Sequence, residues 1–134
     1  MRIGLSRLRL LAQHLDKLEA TPPEKRKREF VMGVWLERFS CGTAACALGE
    51  ACFIPQLKAA GLRHSRFGSI CGTAVPYIVR RGKKHSGTDA AMHLFGISHS
   101  DAHVFFMPRG SDNDTPGKVA TLIRMYIASE KAAA

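Results

Sequence analysis

The sequence predicts a mainly α-helical protein, a compact bundle of about five or six short helices with at most one small β-hairpin. Three observations lead to this prediction. Apolar residues recur at helical spacing near both ends of the chain, alanine and glycine crowd its middle, and turn residues divide the rest into short segments. A chain of 134 residues is expected to form a single domain around one core. Its segments would be 1–20, 21–62, 63–87 and 88–134.

The N-terminal segment predicts an amphipathic helix from about residue 4 to residue 20. Five leucines follow one another at three- and four-residue steps, which places them on one face: Leu5, Leu8, Leu11, Leu15 and Leu18. The Thr-Pro-Pro-Glu sequence at residues 21–24 should end this helix. The leucine face is expected in the core, and it would also suit a homodimer.

The stretch from residue 40 to residue 52 is nearly free of charge and holds three of the four cysteines. We interpret it as a buried helix from about residue 44 to residue 54, entered through a turn at Cys41-Gly42-Thr43. Gly49 costs a helix about 1 kcal/mol, so a close approach of another backbone should compensate for it. The Cys-Gly-Thr triplet returns at residues 71–73.

The segments between these helices are shorter. The apolar residues 30–39 and 74–79 are each compatible with a strand or with a helical turn. A short helix is expected at residues 56–60, closed by Gly61, and a polar loop at residues 62–70. Residues 80–87 are rich in lysine, arginine and glycine, and they predict a mobile basic loop.

The last third of the chain carries clear helix signals. Thr88 is expected to cap a short helix through Leu94, which Gly96 ends. Ser98 with Asp101 forms a capping box for a helix through Phe106. After a loop at residues 107–114, Thr115-Pro116 should open the final helix. The apolar stripe of that helix is Val119, Leu122, Ile123, Tyr126 and Ile127.

A formal net charge of +9 indicates an anionic partner, such as nucleic acid, a nucleotide or the acidic surface of another protein. A solvated basic surface without a partner is the alternative. Two runs of cations are the candidate partner-binding surface. They are Lys25, Arg26, Lys27 and Arg28, and Arg80, Arg81, Lys83 and Lys84.

The two Cys-Gly-Thr triplets are candidate phosphate sites. A helix that begins after glycine presents free backbone N–H groups and the positive end of its dipole. Gly42, Thr43, Gly72 and Thr73 would provide those groups. Purely structural entry turns are the alternative, because neither triplet belongs to a recognised nucleotide-binding motif.

Thiol catalysis is the alternative function. Cys41 or Cys71 at a helix start would have a lowered pKa and could attack a nucleotide or a thioester. Six histidines could act as its base, and their spacing selects none: His14, His64, His85, His93, His99 and His103. His99 and His103 share a helix face but are too few for a metal site, so neither a metal nor a cofactor is expected.

The composition also bears on location. Four cysteines without an N-terminal apolar leader favour reduced thiols, and no apolar run approaches the length that spans a bilayer. We therefore expect a cytoplasmic protein that does not enter a membrane.

Several motifs together resemble a family of small uncharacterised proteins of bacteriophages and some bacteria. They are the aromatic residues 30–35, Cys-Gly-Thr-x-x-Cys-x-x-Gly at residues 41–49, Leu-x-Gly-Ile at residues 94–97, Phe105-Phe106, and Thr115-Pro116 with Val119-Ala120. The resemblance implies a phage-type context, in the host cytoplasm, where small proteins commonly interfere with host defences. The second triplet and the basic residues 80–84 depart from the family pattern.

The sequence thus predicts a non-catalytic, phage-type binding or inhibitor protein. Its basic surface would engage a nucleotide, a nucleic acid, or the nucleic-acid-binding or acidic surface of a host defence complex.

Overall fold

The computed structural model describes residues 3–32, 34–39, 42–66, 72–107 and 115–133. Within these residues the chain forms six α-helices and seven β-strands. The helices are α1 (Ile3–Ala20), α2 (Ala47–Ala51), α3 (Pro55–Ala59), α4 (Thr88–Phe95), α5 (His99–Phe106) and α6 (Pro116–Ala133). The strands are β1 (Glu29–Phe30), β2 (Leu36–Phe39), β3 (Gly42–Ala45), β4 (Arg63–His64), β5 (Gly72–Ala74), β6 (Pro76–Arg80) and β7 (Lys83–Ser86).

The two long terminal helices pack against each other, as their apolar stripes suggest. Leu8, Leu11 and Leu15 of α1 are fully buried, and so are Val119 and Ile123 of α6. Two polar contacts join the C-terminal part of α1 to α6: Gly117 N donates to Glu19 Oε1 at 3.0 Å, and Arg124 pairs with Asp16. The predicted N-terminal and C-terminal helices are confirmed.

The prediction of a helical bundle with at most one hairpin is only partly right, because the described residues also form two small sheets. One has the strand order β1-β3-β2-β5, with β1 and β3 parallel and the other pairs antiparallel. The other is antiparallel, in the order β4-β6-β7. The apolar residues 30–39 and 74–79 take the strand alternative. The protein is therefore a mixed α/β fold.

The basic segment 80–87 contains the turn and the second strand of a β-hairpin, so the prediction of a loop there is wrong. Strands β6 and β7 pair from Tyr77–Ser86 to Arg80–Lys83. The two residues between them, Arg81 (φ 53°) and Gly82 (φ 77°), both have positive φ. This is the geometry that two-residue hairpin turns require. The cations of this segment thus lie on paired strands and on the turn between them.

The central stretch also departs from its prediction, because its first part is a strand. β3 pairs with β2 on one side and with β1 on the other, so its amides are already used in two ladders. Helix α2 begins only at Ala47 and has five residues. The Cys46 Sγ caps it and accepts a hydrogen bond from Gly49 N at 3.4 Å. Alanine and glycine allow both conformations, and strand pairing decides between them.

The predicted ends of the shorter helices are confirmed with one exception: Gly87, not Thr88, is the N-cap of α4, and Thr88 is its first residue. Gly96 closes α4 in the left-handed conformation, and Gly61, with φ 110°, follows α3. Ser98 Oγ accepts a hydrogen bond from Asp101 N at 3.1 Å at the start of α5. Thr115 Oγ1 accepts one from Lys118 N at 3.2 Å at the start of α6. Residues 63–64 form β4 where a loop was predicted, and the predicted loop at 107–114 lies almost wholly outside the described residues.

All six helices and the strands β2, β3, β5 and β6 contribute to one hydrophobic cluster that includes Leu48, Leu57, Phe95 and Phe106. None of the helices in the described ranges combines the length and the apolar character that crossing a membrane requires.

Candidate functional site

A cleft of about 450 Å³ opens where α1, the segment 21–28 and α2 meet. We call it the cationic cleft. Its polar lining includes one histidine, five cations and one carboxylate: His14, Lys17, Lys25, Arg26, Lys27, Arg28 and Glu50. The first predicted cationic run, residues 25–28, therefore lies inside a concave site.

The floor of the cleft is a carboxylate that is closed off from solvent. Glu50 has an exposed fraction of 0% and accepts hydrogen bonds from two elements that precede it in the chain. His14 Nε2 lies 2.8 Å from Glu50 Oε1. Arg28 donates through Nε to Oε2 at 2.9 Å and through a terminal nitrogen to Oε1 at 3.1 Å. Glu50 thus joins α1, the basic segment and α2 at one point.

The Glu50 carboxyl is ionised at neutral pH. Burial raises its pKa, but hydrogen bonds from His14 and Arg28 and the charges of both residues lower it, and the net shift is downward. Because an ionised carboxylate can only accept, His14 donates from Nε2. In the neutral imidazole the lone pair is then on Nδ1.

The two arginines of the cleft are held in place, whereas its three lysines are not. The Arg28 guanidinium lies 3.8 Å above the Phe53 ring, and Arg26 Nε donates to the Thr21 carbonyl at 2.9 Å. The ammonium groups at the rim belong to Lys17, Lys25 and Lys27, all of which are exposed. Within the described ranges, none of these three lysines forms an ion pair.

The second predicted cationic run lies on the β6–β7 hairpin. Arg80 donates to the Ala60 carbonyl at 3.3 and 3.4 Å, so it stabilises the C-terminal end of α3. The Lys84 ammonium lies 4.5 Å above the Tyr77 ring. Arg81 and Lys83 are exposed at the turn. We call these two residues the hairpin tip, and they form a cationic feature separate from the cleft.

The predicted phosphate sites at the Cys-Gly-Thr triplets have a different backbone from the expected one. Gly42 and Thr43 lie in β3, Gly72 and Thr73 lie in β5, and β2 runs between them, with Arg38 opposite both Thr43 and Gly72. A strand has no aligned free N–H groups at its end, so the helix-start argument for anion binding does not apply to these four residues.

The cysteines within the described residues, Cys46 and Cys52, are buried packing groups. Burial raises the pKa of Cys46 to about 11 and that of Cys52 to about 12, so neither thiol is a thiolate at neutral pH. Cys41 and Cys71, the predicted candidate nucleophiles, lie outside the described residues.

We expect a maleimide reagent at neutral pH to leave Cys46 and Cys52 unmodified in the folded protein and to modify both in urea. Peptide mass spectrometry would locate the label. Rapid modification of either residue without denaturant would contradict the buried position of these thiols. The same experiment reports on Cys41 and Cys71, because rapid labelling of one of them is what the thiol-enzyme alternative requires.

Among the six candidate histidines, the structure pairs His14 with a carboxylate. His85 stacks on His93 at 3.8 Å, and the His99 and His103 rings lie 4.8 Å apart. In the described part of the chain, no group of three or more His, Cys, Asp or Glu side chains is placed to hold a metal ion. The sequence analysis missed Glu50. The available signal was that Glu50 is the one charged residue between positions 40 and 52.

Comparison of the chain with protein-family models, with curated proteins and with solved structures finds no match. The resemblance to small phage and bacterial proteins therefore stays a prediction.

Proposed function

We propose that the protein binds a phosphate-bearing ligand, a nucleotide or a single strand of nucleic acid, in the cationic cleft. One observation carries this proposal. Three lysines without an ion-pair partner in the described ranges surround a floor whose single carboxylate is already bound to His14 and Arg28. The cleft consequently has an excess of positive charge that no ion pair within the described ranges neutralises.

The shape of the site favours a small or flexible anion. Ligand sites for small molecules typically have volumes of about 300–1,000 Å³, and the cleft, at about 450 Å³, falls in this range. A concave site lined by charge of one sign concentrates the field and attracts oppositely charged ligands. A phosphate group can enter such a space, whereas the flat acidic face of a protein could contact only the rim.

The biological role that we propose is the one that the sequence predicts, a phage-type inhibitor acting in the host cytoplasm. The protein would sequester a nucleotide or a strand that a host defence complex needs, or would compete at that complex's own nucleic-acid site. The resemblance to phage proteins and the net charge of +9 support this role. The cleft supplies the surface that would perform it.

Reversing three charges in the variant Lys17→Glu, Lys25→Glu, Lys27→Glu tests the cleft. We expect the affinity for a labelled single strand, measured by fluorescence anisotropy, to fall at least about tenfold. Each lysine that contacts a phosphate contributes about 0.7 to the slope of log affinity against log salt. The slope should therefore become shallower by about 2 if all three lysines contact phosphates.

The double variant Arg81→Glu, Lys83→Glu is the matched control, because it reverses two exposed cations of the hairpin tip and leaves the cleft intact. We expect it to keep most of the affinity. If only this control lost affinity for the labelled strand, the binding surface would be the hairpin tip and not the cleft. Binding that neither salt nor the triple variant weakens would contradict the electrostatic proposal.

A further inference from the structure

We propose that the cationic cleft cleaves single-stranded RNA, with His14 as the general base that deprotonates a ribose 2′-hydroxyl. This inference rests on the proposed phosphate binding and departs from the non-catalytic protein that the sequence predicts. The inference starts from His14 and Glu50, a hydrogen-bonded titratable pair in the cleft that has no role in the proposed binding of phosphate.

The pair has the geometry of a base and the group that orients it. Glu50 Oε1, 2.8 Å from Nε2, fixes the imidazole and the tautomer that leaves the Nδ1 lone pair available. Among the described residues this is the only hydrogen bond of the ring. The His14 side chain is 28% exposed and lines the cleft, whereas Glu50 is fully enclosed. A ligand in the cleft can therefore reach the imidazole.

Stability alone is a weak reason to keep this ionic cluster. Burying a carboxylate beside an arginine has a large desolvation cost, and apolar residues of similar volume are often equally stabilising. Ionisable groups in such environments are concentrated at functional sites. Here the cluster also opens into a concave, cationic site.

The substrate class follows from the nucleophile, because the described lining of the cleft offers no hydroxyl group that His14 could deprotonate. Among the described residues that line the cleft, Thr21 is the one with a hydroxyl group. It donates this hydroxyl to the Lys17 carbonyl at 2.7 Å, so it is not directed at His14. The nucleophile must therefore come with the substrate or from water. A ribose carries a hydroxyl beside each phosphodiester, and a base positioned at that hydroxyl is sufficient to start transfer.

The proposed step is balanced without a co-reactant. His14 takes the proton of the 2′-hydroxyl, the 2′-oxygen forms a bond to phosphorus, and the bond from phosphorus to the 5′-oxygen breaks. The leaving 5′-oxygen takes a proton from water, and His14 later returns its proton to solvent. The products are a 2′,3′-cyclic phosphate and a 5′-hydroxyl.

Negative charge that develops on the phosphoryl oxygens would meet the cations of the cleft. Lys17 follows His14 by three residues on α1, so the two side chains share a helix face. Arg28 is fixed by Glu50 and Phe53, and Lys25 and Lys27 lie on the same wall. Of these four cations, Arg28 is the one whose side chain is held in place. Fixed charges aimed at a developing oxyanion are among the larger contributions to catalysis.

The test compares wild type with His14→Gln on a short labelled RNA of mixed sequence, in EDTA to silence contaminating metal-dependent nucleases. Glutamine can place an amide nitrogen where Nε2 lies and keep the hydrogen bond to Glu50, but it has no basic lone pair. We expect wild type to release 2′,3′-cyclic phosphate ends. The variant, purified identically, should cleave at least about 100-fold more slowly, as loss of a general base implies.

Two further measurements distinguish a failure of the proposed cleavage from a failure of the proposed binding. DNA of the same sequence should bind wild type and remain intact. His14→Gln keeps the three lysines of the cleft, so it should still bind RNA, and it should melt at a similar temperature. RNA that wild type binds but does not cleave would overturn the activity and leave the proposed binding standing. Equal cleavage by the variant would also overturn it, and absence of binding to RNA, DNA and nucleotides would overturn both proposals.

Discussion

Glu50→Ala is expected to lower the free energy of unfolding at neutral pH by about 3–5 kcal/mol, the usual cost of breaking a buried ion pair. The substitution leaves the Arg28 guanidinium, whose side chain is only 15% exposed, without the carboxylate that accepts two of its hydrogen bonds. It also leaves the His14 Nε2 without its acceptor and empties part of a fully buried site. Urea denaturation followed by circular dichroism measures the effect.

Glu24→Ala is the matched control, since Glu24 is exposed in the short 3₁₀ turn after α1. We expect Glu24→Ala to change the free energy of unfolding by no more than about 0.5 kcal/mol. Glu50→Gln keeps the volume of the side chain and removes its charge. It therefore separates the loss of stability due to the ion pair from the loss due to the cavity. An effect of Glu50→Ala as small as that of Glu24→Ala would show that the cluster does not stabilise the fold.

The same carboxyl gives the stability a defined pH dependence. The pKa of Glu50 is lower in the folded protein than its ordinary value of 4.5. Its stabilisation is therefore fully present above pH 4.5 and is lost as the pH falls through the folded pKa. We expect the stability difference between wild type and Glu50→Ala to shrink below pH 4.5. A difference that stays constant down to the acid unfolding of wild type would contradict this account.

Gly49→Ala is expected to destabilise the protein by about 1–3 kcal/mol, even though alanine is the better helix former by about 1 kcal/mol. A Cβ at Gly49 would overlap the Trp35 carbonyl oxygen and lie 3.0 Å from the Ala45 Cβ. The carbonyl cannot move freely, because it accepts a hydrogen bond from Cys46 N at 3.2 Å. Thermal melting and urea denaturation measure the loss.

Gly117→Ala provides the comparison for Gly49→Ala. Both glycines lie in helices, but a Cβ at Gly117 would meet only the flexible side chain of Glu19. We expect Gly117→Ala to change the free energy of unfolding by no more than about 1 kcal/mol, since the higher helix propensity of alanine offsets the cost of displacing the Glu19 side chain. If Gly49→Ala proves as stable as wild type, the backbone of α2 is not in the close contact with the Trp35 carbonyl that is described above.

The helices could be predicted largely from local signals, whereas the sheets could not. The leucine spacing of α1, the capping box before α5 and the glycine after α4 are contained within a few residues of sequence. Strand β3 is different, because its residues are small and its conformation is decided by pairing with β1 and β2. Gly49 is the exception. Its predicted close approach to another backbone is confirmed, and the partner, Trp35, is 14 positions away.

The candidate site was predictable only as a set of charges. The cationic run at residues 25–28 is evident in the sequence, but its division into held arginines and exposed lysines depends on contacts with Glu50, Phe53 and Thr21. The choice of His14 among six histidines depends on a partner 36 residues later in the chain. No local pattern contains that pairing.

This order along the chain has a consequence for biosynthesis. His14 and Arg28 leave the ribosome 36 and 22 residues ahead of the glutamate that binds them both. A nascent chain that has not yet reached Glu50 therefore exposes the cations of the future cleft without their organising anion. The cleft can be assembled only after translation has passed β3 and entered α2, which contains Glu50.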